Sequence, residues 1–257
     1  MPTLSLNQQD LFYALQRSPQ ASHTVMLIHG AGGSHLVWPG ALRQLPDANV
    51  YALDLPGHGR SAGEGSATIA AYAETVMALI DTLALENVIL VGHSMGGAIA
   101  QTIALRHPPQ ITALVLIGTS GSLRVSPAIL DQIMPDFEQA VNTINRFAWA
   151  ATTPAPLVAR GRDLLAQTAP AVMYQDFSAC NQFDIRDQLG QITLPTLVVS
   201  GAEDKLTPPK NGRFLADHIP HAQFTLLEDA GHMMMVEKPG EIAAAIELFL
   251  QRLKIKE

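Results

Sequence analysis

The chain is 257 residues long, enough for one large domain or two small ones and for a buried core without staples. Apolar residues make up 47% and charged residues 15%, which excludes a disordered chain, and 16 Lys+Arg against 23 Asp+Glu (net charge −7) speak against sequence-independent nucleic-acid binding. The one cysteine, Cys180, excludes an intrachain disulfide and any multi-cysteine metal site.

The first ten residues carry no basic head and no apolar run, so no secretory signal is read there. No apolar stretch approaches the roughly 20 residues of a membrane span. With a single thiol, these features lead to the expectation of a cytoplasmic protein with neither membrane nor nucleic acid as partner.

In chain order, residues 4–6 and 11–15 flank the polar Asn7-Gln8-Gln9-Asp10 and predict a hairpin. Residues 24–28 predict a buried strand ending at His29-Gly30, and residues 34–45 a loop and then a helix stopped by Pro46. A strand at 50–53 leads into the turn Pro56-Gly57-His58-Gly59. Ile69, Tyr72, Val76, Leu79, Ile80 and Leu83 share one face of a helix over 68–83. A strand at 88–91, a helix over 95–106 and a strand at 114–117 follow. From 120 to 189 the patterns are helical, punctuated by prolines, with no convincing strand; this reads as a helical insertion, not a separate domain. Strands at 196–199 and 224–227 and a last helix over 239–253 complete the chain, and residues 253–257 read as a solvated helix end. Short apolar runs alternating with helical periodicity predict a mostly parallel sheet covered on both faces.

The strongest chemical signal is Gly92-His93-Ser94-Met95-Gly96, a Gly-x-Ser-x-Gly set between a strand and a helix. Such a turn is sharp enough to hold its serine in a strained conformation, and the glycines let helix and strand approach. A serine hydroxyl is a poor nucleophile without a base, and the base needs an orienting acid. Both are available after later strands: Asp204 in Gly201-Ala202-Glu203-Asp204 and His232 in Asp229-Ala230-Gly231-His232. Glu203 and Asp229 are rivals for the acid, and both are read as structural. A turn cap is the bland reading of Asp204. The small-residue loop His29-Gly30-Ala31-Gly32-Gly33 follows a strand and can lay a backbone N–H beside Ser94, where with the Met95 N–H it supplies two donors to an oxyanion. No P-loop Gly-Lys-Ser/Thr follows it. His29, His58 and His93 are expected to be hydrogen-bonded structural residues, and Trp38 to be core.

Together with Asp54-Leu55-Pro56-Gly57-His58-Gly59-Arg60-Ser61, these motifs resemble the α/β-hydrolase superfamily, in order and over about residues 24–253. The resemblance implies an eight-stranded, mostly parallel sheet flanked by helices, with a helical cap after the sixth strand: a core of 1–119 and 190–257 and a cap of 120–189. It implies Ser94 as nucleophile, His232 as base, Asp204 as acid, and Ala31 and Met95 as oxyanion donors. Within the superfamily the chain is similar to small carboxylesterases and to carbon–carbon bond hydrolases of aromatic degradation. Dehalogenases of this fold carry Asp as nucleophile, where position 94 is Ser, and relatives that make the menaquinone precursor have Arg where this chain has Ala98.

The expected function is a serine carboxylesterase acting on a small-molecule ester, without metal, nucleotide or flavin. The alternatives are a C–C hydrolase and a triad-bearing ligand-binding or signalling protein. Phe137, Phe147, Trp149, Met173 and Phe177 of the insertion, with Met233 beside His232, are the candidate lining of an apolar substrate pocket, and packing on the sheet is their alternative role. The sequence does not give an oligomeric state.

Overall fold

The computed structural model of the chain describes residues 3–6 and 9–254. Its strands are β1 (Thr3–Leu6), β2 (Gln9–Gln16), β3 (His23–Ile28), β4 (Ala48–Leu53), β5 (Val88–His93), β6 (Ile111–Ile117), β7 (Thr196–Gly201) and β8 (Ala222–Leu227). Its α-helices are α1 (Gly40–Arg43), α2 (Ile69–Thr82), α3 (Met95–Ala104), α4 (Pro127–Ile133), α5 (Phe137–Phe147), α6 (Ala155–Leu165), α7 (Pro170–Gln182), α8 (Pro209–His218), α9 (Met234–Glu237) and α10 (Pro239–Lys254). Short 3₁₀ turns lie at His35–Val37 and Arg186–Gln191.

The eight strands form one sheet in the order β1-β2-β4-β3-β5-β6-β7-β8. The β1–β2 and β2–β4 pairs are antiparallel and the rest are parallel. The expected antiparallel pairing of the first two strands is therefore present, and Asn7 and Gln8 of the predicted turn lie outside the described residues. From β3 the chain goes to β4 on one side and later to β5 on the other, so a topological switch lies between β3 and β5. The crevice beyond the strand ends at such a switch is where parallel sheets bind ligands.

Side chains alternate across the sheet because the strand period is two. Met26, Ile28, Leu90, Leu114 and Leu116 face one core, shared with Tyr72 and Val76 of α2 and Ile99 of α3. Val25, Leu27, Ile89, Val91, Val115 and Ile117 face the other, against Leu42 of α1 and Ile242, Ile246 and Phe249 of α10. Complete burial of such side chains stabilises by about 1.5–3 kcal/mol each. Thr68 caps α2 as its hydroxyl accepts from the Ala71 N–H, and the predicted apolar face from Ile69 to Ile80 is the buried one.

Between β6 and β7 lie α4 to α7, with a single bridge between Ser122 and Asp184. These helices have a small core of their own around Ile133, Ala140, Val141, Ile144 and Met173. The sequence reading placed no helix between β7 and β8. α8 is there, but it buries only Gly212 and Leu215, too narrow a stripe to register as periodicity. Among the described residues no helix is long and apolar enough to cross a membrane.

Candidate active site

β5 ends at His93 and α3 begins at Met95, so Ser94 alone turns the chain, at φ 53° and ψ −115°. This backbone costs a residue with a Cβ, and its surroundings hold it there. The Ser94 N–H donates to the Ile117 carbonyl at 2.9 Å, and the Ser94 carbonyl accepts from the Gly97 N–H at 2.9 Å and the Thr119 hydroxyl at 2.8 Å. Close approach requires glycine on both sides: a Cβ on Gly92 would lie 2.2 Å from the Gly96 carbonyl oxygen, and one on Gly96 2.1 Å from that of Ile28.

His232, on the loop after β8, donates from Nδ1 to Asp204 Oδ2 at 2.9 Å. With Nδ1 donating, Nε2 is the nitrogen turned away from Asp204 and is the one that can accept a proton. Asp204 is buried and fully engaged. Its Oδ1 accepts from the Leu206 and Thr207 N–H groups at 2.9 and 2.8 Å, and its Oδ2 also accepts from the Thr207 hydroxyl at 2.7 Å. Burial works to raise the Asp204 pKa, but His232 and the Thr207 donors outweigh it and hold the carboxyl below its ordinary range. Of the rival acids, Glu203 accepts from the Ala151 N–H at 2.9 Å, and Asp229 is exposed at a positive φ of 51°. The acid that meets His232 is Asp204.

The loop after β3 packs on the same turn. A Cβ on Gly30 would lie 3.0 Å from His93 Nδ1 and 3.1 Å from Ser94 Cβ. Gly33 N–H donates to Gly30 O at 3.0 Å, while the Ala31 N–H makes no backbone hydrogen bond among the described residues. The Met95 N–H, first in α3, has no partner within its helix and adds the positive end of the helix dipole.

Ser94 and His232 open into a cavity of about 1130 Å³ between the sheet edge and the insertion. Phe147, Trp149, Phe177 and Met233 line it. Phe137 and Met173 do not, which corrects the sequence reading of these two. Phe137 heads the α5 face of Ala140, Val141 and Ile144 and packs with them, and Met173 is fully buried in the same cluster. Met234 and Met235 belong to the sheet core, as does Trp38, whose fully buried ring also borders the cavity. The lining includes six cations, Arg43, Arg124, Arg160, Arg186, Lys205 and Lys210, and no Asp or Glu among the described residues.

The three histidines expected to be structural, His29, His58 and His93, are buried and hydrogen-bonded. His93 donates from Nε2 to the His232 carbonyl at 2.9 Å, and burial with the nearby His232 ring pushes its pKa down to about 3. His29 donates to Gly30 O at 2.8 Å and accepts from the Leu55 N–H at 3.1 Å; burial and His58 push it down to about 4. For His58, burial opposes the charge, but Asp176 at 2.7 Å prevails and the pKa is raised. Sequence reasoning missed Thr207, Asp176 and Glu237. Glu237 Oε2 accepts from the Gly231 N–H at 2.8 Å and Oε1 from the Ala150 N–H at 2.8 Å, tying the His232 loop to the insertion. Only the position of Thr207, three residues past the acid, gave a local signal.

A strained serine between strand and helix, a histidine–carboxylate pair and two backbone donors at one sheet edge define a site of the hydrolase type. Residues 25–245 match the model of the alpha/beta hydrolase family, and the chain belongs to that family and is a hydrolase. It is similar to the pimeloyl-acyl-carrier-protein methyl ester esterase of Photorhabdus laumondii, at 28% identity over 259 aligned residues, covering 95% of this chain and 97% of that one. A solved hydrolase from Pseudomonas aeruginosa PA01 superimposes with a TM-score of 0.87 at 29% identity, covering 97% of each chain. A thermophilic esterase does so at 0.86 and 32% identity, covering 98% of this chain and 97% of that one.

Proposed function

We propose that this chain is a serine carboxylesterase acting on small to medium apolar carboxylic esters. The Asp204–His232 hydrogen bond, at the wall of the cavity that also receives Ser94, carries the reading. Ser94 attacks the ester carbonyl as His232 Nε2 takes its proton, and the Ala31 and Met95 N–H groups receive the oxyanion. His232 then protonates the departing alcohol, and a water activated by the same nitrogen releases the acid from Ser94. Residues 120–189 serve as a cap over this chemistry, on a core of 1–119 and 190–257. The methyl ester esterase of Photorhabdus laumondii supports esters as the substrate class, and the aromatic and methionine lining supports an apolar acyl or alcohol group.

The test is Ser94→Ala on a panel of p-nitrophenyl and methyl esters run beside a vinylogous diketone. Ester turnover should fall by several orders of magnitude with the melting curve unchanged. A fluorophosphonate label should map to the peptide holding Ser94. Labelling at Ser34, Ser120 or Ser200 would overturn the assignment, and turnover confined to the diketone would replace the esterase reading with C–C hydrolysis.

A further inference from the structure

Asp176 lies on α7, in the insertion, and is completely buried. Such a carboxylate needs a reason, because an uncompensated buried charge is strongly unfavourable. Three donors surround it, from three separate parts of the chain. His58 Nε2 donates to Oδ2 at 2.7 Å, the Gly32 N–H donates to the same oxygen at 2.8 Å, and the Tyr72 hydroxyl donates to Oδ1 at 2.5 Å. The proton positions follow from the partners. The Tyr72 oxygen accepts from the Ser66 N–H at 2.9 Å, so its own hydrogen goes to Asp176. His58 Nδ1 faces the Pro56 carbonyl at 3.0 Å, so both ring nitrogens face acceptors and the ring is the charged partner of the carboxylate.

Gly32 follows Ala31. Its N–H is held by Asp176, and its carbonyl accepts from the Thr168 hydroxyl at 2.8 Å, also from the insertion. The stretch from Gly30 to Gly33 has almost no side chain with which to pack, and Gly32 sits at φ +65°. A backbone of this composition is soft, and hydrogen bonds must supply its stiffness. Gly30 O accepts from the Gly33 N–H within the loop and from His29 Nδ1 beside it, and the two bonds at Gly32 come from the insertion. The Gly32 N–H lies in the Ala31–Gly32 peptide plane, the next after the one that carries the Gly30 carbonyl and the Ala31 N–H, and the Gly32 carbonyl lies in the plane beyond it.

We infer that Asp176, helped by Thr168, is a positioning residue of the oxyanion site: from the insertion the two hold the peptide planes on either side of Gly32, and through them the direction of the Ala31 N–H. The inference rests on the reading of Ser94 as nucleophile, which Ser94→Ala checks separately in the same assay. It makes the insertion part of the catalytic geometry as well as a wall of the pocket.

The experiment compares Asp176→Leu, Asp176→Asn, Thr168→Val and Tyr72→Phe. For each it measures kcat and KM on p-nitrophenyl butyrate, the inhibition constant of an alkyl trifluoromethyl ketone, and a melting curve. That ketone forms a tetrahedral adduct and so reads the oxyanion donors directly. Asp176→Leu and Thr168→Val should lower kcat about tenfold to a hundredfold, somewhat less than outright loss of a donor, with KM within about twofold. The inhibition constant should rise by a similar factor. Asp176→Asn keeps an oxygen for the Gly32 N–H and should recover part of the loss. Tyr72→Phe drops the bond to the other carboxylate oxygen and the acceptor of the Ser66 N–H, neither of which is on Gly32, so it should lower the melting point while leaving kcat and ketone binding within about twofold. If Asp176→Leu does not fold, Thr168→Val against Tyr72→Phe decides the matter. Equal kinetic losses in Tyr72→Phe and Thr168→Val, or unchanged ketone binding in Thr168→Val, would overturn the inference and leave Asp176 a structural anchor.

Discussion

The Thr207 hydroxyl and the His232 ring meet on one oxygen of Asp204, at 2.7 and 2.9 Å, and lie 3.2 Å from each other. The carboxylate is thus oriented by its own turn before it orients the imidazole. Asp204→Asn should remove most ester turnover, because the amide can present its N–H₂ where the ring N–H needs an acceptor. Thr207→Val should cost far less, about 1 kcal/mol of stability with a modest loss of kcat. Asp229→Asn, at an exposed position, should be milder still. Steady-state kinetics on the three variants check this order, and a larger loss in Asp229→Asn than in Asp204→Asn would reassign the acid.

Acid should destabilise the fold earlier than its carboxylates alone require. Burial pushes His29 down to about 4 and His93 to about 3, against 6.5 for a free histidine. Between about 6.5 and 4 the unfolded chain therefore binds up to two more protons than the native one, and stability falls as pH falls, by up to about 2.7 kcal/mol per pH unit. His58 acts with the opposite sign. Its pKa is raised by Asp176, so its contribution is complete below the ordinary histidine range and is lost as pH rises through the folded value. Asp204, held low, loses its contribution only as pH falls below the ordinary carboxylate range. Denaturant midpoints measured from pH 7 down to pH 4 test this, and a flat profile from 6.5 to 4.5 would contradict it.

The candidate pocket residues of the insertion carry two signatures, and Phe177, which lines the cavity and also packs on the insertion's own core, carries both. Phe147, Trp149 and Phe177 line the cavity, so truncation to Ala should shift the preferred chain length in an acetate-to-octanoate series while sparing acetate. One methylene in an apolar pocket is worth about 1–3 kcal/mol of discrimination. Phe137 and Met173 pack inside the insertion, so their truncation should cost about 2–5 kcal/mol of stability and lower all esters in parallel. Uniform loss across both groups would remove the cavity-facing residues from any part in selectivity.

Of the six cations of the lining, Arg124 and Arg186 pair with Asp184, and Arg43, Arg160, Lys205 and Lys210 make the cavity hostile to positive substrates although the chain as a whole is acidic. Butyrylcholine should be hydrolysed at least about tenfold less efficiently than its neutral carbon isostere at low salt, and the gap should narrow as salt screens the field. Equal kcat/KM values at every ionic strength would mean that these side chains point away from the substrate.

What the sequence alone determined is what short-range pattern encodes. The alternating strand runs, the face of α2 from Ile69 to Ile80 and the Gly92–Ser94–Gly96 turn are each set by residues within one or two turns of chain, and each stands as read. The histidine–carboxylate pair was legible because strand ends in a parallel sheet gather at one edge, so Asp204 and His232 needed only their order along the chain. The rest depended on how helices rotate about their axes and on contacts between distant segments. Whether Phe137 or Phe147 faces the cavity is decided by the side of α5 that docks on its neighbours, and both are aromatic residues of the same helix. Asp176 meets His58 across 118 residues and Gly32 across 144, and no local pattern distinguishes it from a solvated helix acid. Its burial, and the hydrogen bonds that make the burial tolerable, exist only once the insertion is seated on the sheet edge.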